Sequence, residues 1–319
     1  MPQSGGTPTN LFAHSFAQSG PEHQWITSMT VLIFGGSGNV GRALIPILYA
    51  SGAKIRVATR STAYAASLPD DIDTVIADMD DPSTLRPAFK GVESVFLLIA
   101  NSPKETQQGL STLAIAAESP PRHIVYLSSD LAVRAPMIPH AGGKFAIETA
   151  LRASGIAHTI LRPTYFAQND LVQKDVITAG AYATPLGAHP VARIDTRDVA
   201  LAAATALLDI RAKNEVFLLS SLDAPNGNET AALWSIALGR AVIYPDLTPE
   251  DFANSIETMV PPWLNFDLLI MHRWFKTNGH PVNQEDLEAQ AALLPQGPRS
   301  YRSFVEETAN IWQSETQSR

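Results

Sequence analysis

VLIFGGSGNVGRAL, residues 31–44, joins an apolar run directly to spaced glycines and then to a run typical of a helix. Gly36, Gly38 and Gly41 fit the pattern G-x-G-x-x-G, and Gly35 also fits the related G-x-x-G-x-x-G. Glycine permits a tight turn, lets a pyrophosphate approach the backbone and lets the helix pack on the strand. Because the motif follows a strand and opens a helix, it predicts a dinucleotide site rather than a glycine-rich turn without a ligand. The residues expected to bind there are Gly35, Ser37, Gly38, Asn39, Val40 and Gly41.

Composition limits the classes of protein to consider. The chain has 319 residues, 45% of them hydrophobic, and no cysteine; it can bury a large core but cannot form disulfides or thiolate metal sites. A net charge of −8 without a Lys/Arg cluster argues against nucleic-acid binding. No apolar run approaches the roughly 18 residues of a membrane span, and the histidines lack metal-site spacing. We therefore expect a soluble cytoplasmic protein, monomer or homodimer, that binds small molecules and no metal, membrane or nucleic acid.

Strand and helix patterns alternate from Met29 onward. The predicted strands are rich in Val, Ile and Leu without clean alternation, which is typical of a parallel sheet buried on both faces. They are TVLIFG, KIRVATR, DTVIAD, SVFLLIA, HIVYLSS and HTILRP, accompanied by the helices GRALIPILYASG, QQGLSTLAIAAESP and KFAIETALRASG. This order predicts an α/β fold with a doubly wound parallel sheet of the Rossmann type.

The end of the second predicted strand indicates which dinucleotide binds. NAD sites carry an acidic residue about 20 residues past the glycine motif, where it binds the ribose 2′-hydroxyl. This chain has Thr59, Arg60 and Ser61 there instead. A cation and hydroxyls suit a 2′-phosphate, so the sequence favours NADP (NADPH) as the cofactor. The alternative is that Arg60 is a solvated residue at the end of a strand.

The ends of the next two predicted strands supply further candidates. Asp78 and Met79 are assigned to the adenine, although Asp78 could instead cap a helix, and Asp80 or Asp81 is assigned to the cap of the following helix. Ala100–Asn101 ends the next strand, where a sheet of this type passes under the cofactor.

Together these motifs resemble the NmrA-like branch of the atypical short-chain dehydrogenases. The resemblance is carried, in order over residues 29–312, by the glycine loop, the Arg after the second strand, ADMDD, IVYLSS, the HAGGK spacing, ILRPTYFAQND, RIDTRDVALAA and QGPRSYRSFVEET. The branch includes quinone and azo-dye reductases, ergot-alkaloid dehydrogenase-like enzymes and non-catalytic NADP-sensing regulators. The resemblance implies the superfamily and its cofactor but names no substrate.

The chemistry of that family is carried by a Ser at the end of the fifth strand and a Tyr-x-x-x-Lys on the next helix. Ser128 and Ser129 match the first, with Ser128 assigned to the cofactor and Ser129 to catalysis. At the second, this chain has His140 and Lys144, which share a helix face because they are four residues apart. Lys144 is expected to hold the nicotinamide ribose and place positive charge beside the acceptor. Histidines titrate near neutral pH, so His140 could donate the proton; otherwise it is an ordinary polar residue at a helix start.

Gly142 and Gly143 lie between these two residues and are poor helix formers, each costing about 1 kcal/mol relative to Ala. Either the helix begins only near Lys144, or the backbone approaches the cofactor closely.

The resemblance also places the segment after the sixth strand against the nicotinamide. Pro163, Thr164, Tyr165 and Phe166 are its candidate residues, and Tyr165 is a second candidate proton donor unless it only packs under the substrate lobe.

Composition and the resemblance together predict three parts of the chain. Residues 1–28 are expected to be a flexible tail, and residues 29–165 an NADP-binding Rossmann domain with sheet contributions to about residue 222. Residues 223–319, with segments of 166–190, are expected to form a smaller, mainly helical lobe over the nicotinamide. In this region VFLLSS and AVIYPDL predict strands, and TPEDFANSI, PPWLNFDLLIMHRWFKTNG and NQEDLEAQAALL predict helices. Its aromatic residues could line a pocket for a planar substrate, with Met271 or Trp274 as candidates.

Three functions are consistent with these features. The first is an NADPH-dependent reductase that delivers hydride to a planar, conjugated acceptor such as a quinone, enone or imine. The second is a non-catalytic NADP(H)-sensing regulator that binds a protein partner. The third is a cyclase or isomerase that uses the nucleotide as a scaffold. Loss of the family Tyr favours the regulator, whereas Lys144, the serine pair and the apolar lobe favour the reductase.

Overall fold

The structure is a computed structural model that describes residues 29–209 and 213–317. The tail predicted for residues 1–28 lies outside the described residues. The strands are β1 (Thr30–Phe34), β2 (Lys54–Thr59), β3 (Asp73–Ile76), β4 (Ser94–Leu97), β5 (His123–Leu127), β6 (His158–Pro163), β7 (Tyr165–Phe166), β8 (Arg193–Ile194) and β9 (Glu215–Leu219).

Helices connect these strands and make up most of the C-terminal part. The α-helices are α1 (Asn39–Ala50), α2 (Thr62–Ala65), α3 (Leu85–Phe89), α4 (Glu105–Glu118), α5 (Leu131–Arg134), α6 (Pro139–Ala153), α7 (Lys174–Thr178), α8 (Thr196–Leu208), α9 (Gly227–Leu238), α10 (Pro249–Ile256), α11 (Pro262–Asn278) and α12 (Tyr301–Gln317). Short 3-10 helices cover Pro82–Thr84, Ala167–Gln173, Glu285–Leu287 and Ala289–Ala292.

Seven parallel strands form the main sheet in the order β3-β2-β1-β4-β5-β6-β9. The chain moves outward from β1 to β3 and then returns to the other side of β1 at β4, which makes the boundary between β1 and β4 the switch point of the sheet. The predicted doubly wound fold is therefore confirmed. The small pair β7-β8 lies apart from this sheet and is also parallel.

Successive residues of β1 enter different layers of the core. Ile33 packs with Leu44 of α1 and Ala203 of α8 on one face of the sheet, whereas Leu32 packs with Leu113 of α4 on the other. Because both faces are covered by helices, all residues of β4 and β5 are buried. This arrangement explains why the strands are apolar without alternation.

A buried polar network holds the helical part of the chain together. The Asp170 carboxylate accepts hydrogen bonds from Tyr182 Oη at 2.9 Å and from Tyr301 Oη. The guanidinium of Arg193, which is fully buried, lies 4.3 Å from the centre of the Tyr301 ring. Trp234 Nε1 also donates to Tyr301 Oη at 3.1 Å. Since a buried charge is stable only when it is paired and hydrogen-bonded, this cluster fixes how the helices of the C-terminal part meet.

Two predictions for the C-terminal part need correction. AVIYPDL, residues 241–247, is not a strand: it makes one isolated bridge, between Ala181 and Ile243. Its Tyr244 ring packs so tightly on Gly227 that a Cβ there would lie 2.2 Å from the ring. NQEDLEAQAALL, residues 283–294, forms two short 3-10 helices instead of an α-helix, and its last two leucines pack into the core beside β9.

Candidate active site

One cavity of about 480 Å³ lies at the carboxyl ends of the central strands. Its floor is made by the first turn of α1 and by the residues that follow β4, β5 and β6, and α11 forms part of the opposite wall. The predicted site residues that line it are Gly38, Asn39, Val40, Ala100, Asn101, Ser128, Ser129, His140, Lys144, Pro163, Thr164, Tyr165 and Phe166. The others, which stand outside its lining along the loop and the ends of β2 and β3, are Gly35, Ser37, Gly41, Arg60, Asp78 and Met79.

The four glycines of the loop differ in whether the fold leaves room for a side chain. Gly35 has φ +77°, and a Cβ on it would lie 2.6 Å from Leu98. A Cβ on Gly36 would lie 2.9 Å from Val57, and one on Gly41 only 2.3 Å from the carbonyl oxygen of Gly35. Gly38 differs: its φ of −80° suits any residue, and a Cβ would meet its nearest atom at an ordinary 3.5 Å. The fold requires glycine at the other positions, but nothing in the fold requires it at Gly38.

The N-terminus of α1 is suited to an anion. Gly38 is its N-cap, in an extended conformation, and no side chain caps the first turn. Uncapped amide groups and the helix dipole favour a phosphate at such a position. Arg42, which the sequence reasoning missed, donates from Nε to the carbonyl oxygen of Ser37 at 2.7 Å and so braces the loop. In the sequence, the position of Arg42 directly after the last glycine of the motif could have indicated this contact.

The predicted adenine end lies at the surface. Arg60 is exposed just beyond β2, and Asp78 is half-buried beyond β3. The Asp78 carboxylate accepts the backbone N–H of Asp80 at 2.9 Å. Asp81 caps the next short helix by accepting the N–H of Ser83 at 3.1 Å, as predicted.

Helix α6 begins at Pro139, which excludes the alternative that it begins only near Lys144. Its two glycines are explained by contacts within the protein. A Cβ on Gly142 would lie 2.7 Å from the carbonyl oxygen of Pro136, and one on Gly143 would lie 2.7 Å from Thr106 Oγ1. The glycines therefore allow α6 to lie close to its neighbours, one of which is α4. His140 and Lys144 share one face of α6 and both line the cavity.

Lys144 is paired with a carboxylate that the sequence reasoning missed. Its Nζ donates to Glu105 Oε1, and the two side chains are only 13% and 3% exposed. Glu105 Oε2 has no hydrogen-bond partner within the described part of the chain. Of the serine pair, Ser128 donates from Oγ to Glu148 at 2.6 Å, and Ser129 Oγ accepts the N–H of Leu131 at 3.2 Å.

His140 is paired with a second missed carboxylate, Asp267 of α11. The backbone N–H of His140 donates to Oδ1 at 2.9 Å, and its ring Nδ1 lies 2.7 Å from Oδ2. Burial acts to raise the pKa of Asp267, but the hydrogen bonds and charge of His140, with a hydrogen bond from Asn101, hold that pKa below its usual value. Asp267 is the sole acidic residue in α11, and a lone carboxylate among apolar residues signals a buried partner.

Other polar groups of the cavity wall are held uncharged. Burial, with the negative charge of Asp170, raises the pKa of Tyr165 well above its usual value, so the phenol keeps its proton. Burial lowers the pKa of His272 to about 3, and neither of its ring nitrogens has a partner among the described residues. Met271 lines the cavity, whereas Trp274 does not and packs edge-on against Phe275.

Neither a metal site nor a membrane span is found in the described ranges. No group of three or more His, Asp or Glu residues within 29–209 and 213–317 could hold a metal ion. No helix in the same ranges is long and apolar enough to cross a membrane.

Comparison with known proteins identifies a matching family and several similar proteins. The NmrA-like family matches residues 27–306. The chain is 30% identical over 236 residues to an NAD(P)H azoreductase from Xenophilus azovorans, an alignment that covers 73% of this chain and 82% of that protein. A structure of an NADPH-dependent quinone oxidoreductase from Escherichia coli, complexed with NADPH, has a TM-score of 0.79 at 23% identity and covers 88% of this chain and 99% of that one. NmrA, a negative transcriptional regulator in complex with NADP, has a TM-score of 0.76 at 18% identity and covers 90% and 97%.

Replacing Gly38 and Gly41 by Ala should separate ligand binding from folding. Gly38→Ala adds a methyl group where the protein has room, so the melting temperature should stay within about 2 °C. NADPH affinity measured by calorimetry should fall by about tenfold or more, because the methyl group would intrude on the predicted phosphate site. Gly41→Ala should instead destabilise the fold by roughly 2 kcal/mol or more through overpacking against backbone. If both variants lost stability equally, Gly38 would also be a structural glycine.

Acid should weaken the fold in part through His272. Its folded-state pKa of about 3 lies below the ordinary value of 6.5, so the unfolded chain binds a proton that the native protein excludes. The free energy of unfolding should therefore fall as the pH drops from about 6.5 toward 3, at up to about 1.4 kcal/mol per pH unit from this residue. Urea denaturation at several pH values should give a shallower dependence for His272→Leu than for the matched exposed variant His189→Leu. Equal slopes would show that His272 protonates without unfolding.

Proposed function

The chain belongs to the NmrA-like family, and we propose that it is an NADPH-dependent oxidoreductase that transfers a hydride to a small planar or conjugated acceptor such as a quinone, an enone or an imine. The observation that carries the proposal is the continuity of the cavity. It extends from Gly38 at the glycine loop, past His140 and Lys144 of α6, to the apolar side chains of α11. The identity to an azoreductase supports this class of reaction.

The described residues fit a dinucleotide phosphate. The uncapped first turn of α1 would hold the pyrophosphate, and Arg60 would hold the 2′-phosphate, with Asp78 and Met79 at the adenine. The residues that would hold the nicotinamide end are Ala100, Asn101, Ser128, Lys144, Pro163, Thr164, Tyr165 and Phe166. When bound, NADPH supplies the hydride of the reaction.

Lys144 places a positive charge in the wall of the cavity. Its pairing with Glu105 fixes the ammonium instead of leaving it on a flexible chain, and fixed charges act more strongly than charges that must reorient. The remaining N–H groups of the ammonium can bind ribose hydroxyls. The same charge would stabilise negative charge that develops on the acceptor. Ser129, which also lines the cavity, would supply a further hydroxyl donor.

The acceptor would bind on the side of the cavity formed by α10, α11, β7 and the segment after β7. The apolar residues that line this side are Phe166, Val172, Phe252, Leu268 and Met271. Aromatic, aliphatic and thioether groups of this kind suit an apolar, planar molecule. Asn169 and Thr184 also line the cavity and offer uncharged hydrogen-bonding groups. They could hydrogen-bond the carbonyl, imine or azo group of an acceptor, which would then need no charged partner.

A non-catalytic NADP(H)-sensing regulator is the second candidate. The feature that favours it is His140 at the position of the family Tyr, since this removes the usual proton donor. The absorbance of the reduced nicotinamide, followed with a panel of quinones, enones, imines and azo dyes, separates the two functions. Consumption of NADPH with any member supports the reductase. Tight NADPH binding without consumption across the panel refutes the reductase and supports the regulator.

Arg60→Ala should reduce the preference for NADPH over NADH by about tenfold or more. The guanidinium is exposed, and hydrogen bonds to charged groups such as a 2′-phosphate contribute about 1.5–3 kcal/mol. Calorimetry with both cofactors measures the ratio of dissociation constants. Arg86→Ala is the matched control, because Arg86 is exposed and pairs with Glu118. Equal affinities for the two cofactors in the unmutated protein would contradict the assignment of Arg60.

The contribution of Lys144 is best measured in a Glu105→Gln background. Lys144→Met alone would leave a buried carboxylate unpaired, which typically costs about 3–5 kcal/mol of stability. Turnover of the Glu105→Gln/Lys144→Met double variant should therefore be compared with that of Glu105→Gln. We expect the double variant to be slower by about 10²-fold, the usual effect of removing one preorganised charge, with a much smaller change in NADPH affinity. Equal turnover of the two variants would remove Lys144 from the mechanism.

A further inference from the structure

His140 and Asp267 join two parts of the chain that lie far apart in sequence. His140 is in the first turn of α6, next to the sheet, and Asp267 is in α11, in the helical part. Both carboxylate oxygens of Asp267 are used by His140, one by the backbone N–H at 2.9 Å and the other by ring Nδ1 at 2.7 Å. The two side chains are 12% and 3% exposed. A two-point attachment fixes both the position and the rotation of the imidazole.

This attachment also determines which ring nitrogen of His140 is available to a ligand in the cavity. A carboxylate whose pKa lies below its usual value accepts hydrogen bonds and does not donate them. The proton of the neutral imidazole is therefore held on Nδ1, and the second proton of the imidazolium is carried by Nε2. Among the described residues, the hydrogen bonds of His140 are made by its backbone N–H and by Nδ1, not by Nε2, and the residue lines the cavity. Nε2 is thus the atom available to a ligand.

The groups around His140 come from several elements. Lys144 follows it by one turn on α6, with Glu105 of α4 as its counter-ion. His272 of α11 lies near Asp267 and is uncharged, because burial lowers its pKa to about 3. Tyr165, from the segment after β6, retains its proton because its pKa is raised by burial. An acid that must release a proton in each turnover is therefore better supplied by the imidazolium than by this phenol.

We propose that His140 is the catalytic acid of the site and that Asp267 is the positioning residue that holds it. This rests on the proposed reductase function. The acceptor gains two electrons and one hydrogen as hydride from the reduced nicotinamide, which is oxidised. The Nε2–H bond breaks, and an O–H or N–H bond forms on the acceptor heteroatom. Water then returns a proton to Nε2. A histidine held by a carboxylate thus replaces the missing family Tyr, and the helical part contributes to the chemistry through Asp267.

The first test measures the histidine itself in the unmutated full chain and in Asp267→Asn, with and without NADPH. Long-range proton–nitrogen NMR reports the tautomer and the titration of the His140 ring, and His140→Gln assigns the signal. We expect the Nδ1–H tautomer in the unmutated protein. In Asp267→Asn we expect this tautomer to be less favoured, because an amide offers one acceptor oxygen where the carboxylate offers two. An unchanged tautomer would overturn the positioning role.

The second test uses the pH dependence of turnover with an acceptor found in the panel. The rate should decline at high pH as His140 loses its proton. In Asp267→Asn this decline should begin at lower pH, and turnover should fall by about 10–100-fold, while the dissociation constant of NADPH stays within about twofold. Glu250→Gln is the matched control, since it removes a different carboxylate that pairs with α11, through Arg273. It should leave the profile unchanged.

A double-variant comparison tests whether Asp267 acts through His140. Asp267→Asn should have little further effect on turnover in a His140→Gln background, because Asp267 acts through the imidazole. Independent, multiplicative losses would overturn the proposal while leaving the reductase intact. Should Asp267→Asn not fold, His140→Asn provides the test, and a pH profile like that of the unmutated protein would refute His140 as the acid. If no acceptor is reduced at all, the proposed function fails, and the catalytic role of His140 fails with it.

Discussion

The first turn of α1 lies so close to the end of β1 that a side chain cannot come between them. A Cβ on Gly41 would stand 2.3 Å from the Gly35 carbonyl oxygen and 2.6 Å from the Cα of Gly36. Both obstacles are backbone atoms, which cannot move aside as a flexible side chain could. This contact sets the direction in which α1 leaves the sheet, and α8 packs against α1 in turn. The uncapped N-terminus of α1 consequently lies at the floor of the cavity.

The sheet could be predicted because its strands are defined by their own composition. β4 and β5 are apolar throughout and buried throughout, so a local pattern was sufficient. Residues 241–247 have a similar composition, but their Tyr244 is held by long-range contacts. Its ring packs on Gly227, and its hydroxyl oxygen accepts the N–H of Gly187 at 2.8 Å. Such contacts depend on the assembled helices, and a local pattern does not contain them.

The candidate site, too, could be predicted only as far as local sequence spacing allows. Spacing along one helix was enough to place His140 and Lys144 on a common face, and the structure puts both in the cavity wall. Their counter-ions, Asp267 and Glu105, lie 127 and 39 residues away in sequence. No spacing rule connects residues so far apart. Only the packing of α4 and α11 around α6 shows that each of the two residues has its own carboxylate.

This arrangement has a consequence for the kind of molecule that the cavity accepts. The fully ionised side chains in its described wall are Lys144 and Asp267, and each is already paired, Lys144 with Glu105 and Asp267 with His140. An anionic acceptor beside Lys144 would have to share the ammonium with a buried carboxylate. An uncharged planar acceptor leaves both pairs intact. In the proposed reaction, negative charge would arise only during reduction, beside a fixed ammonium and an imidazolium that could neutralise it with a proton. Under the proposed function, the same pairs would therefore favour the transition state over a charged ground state.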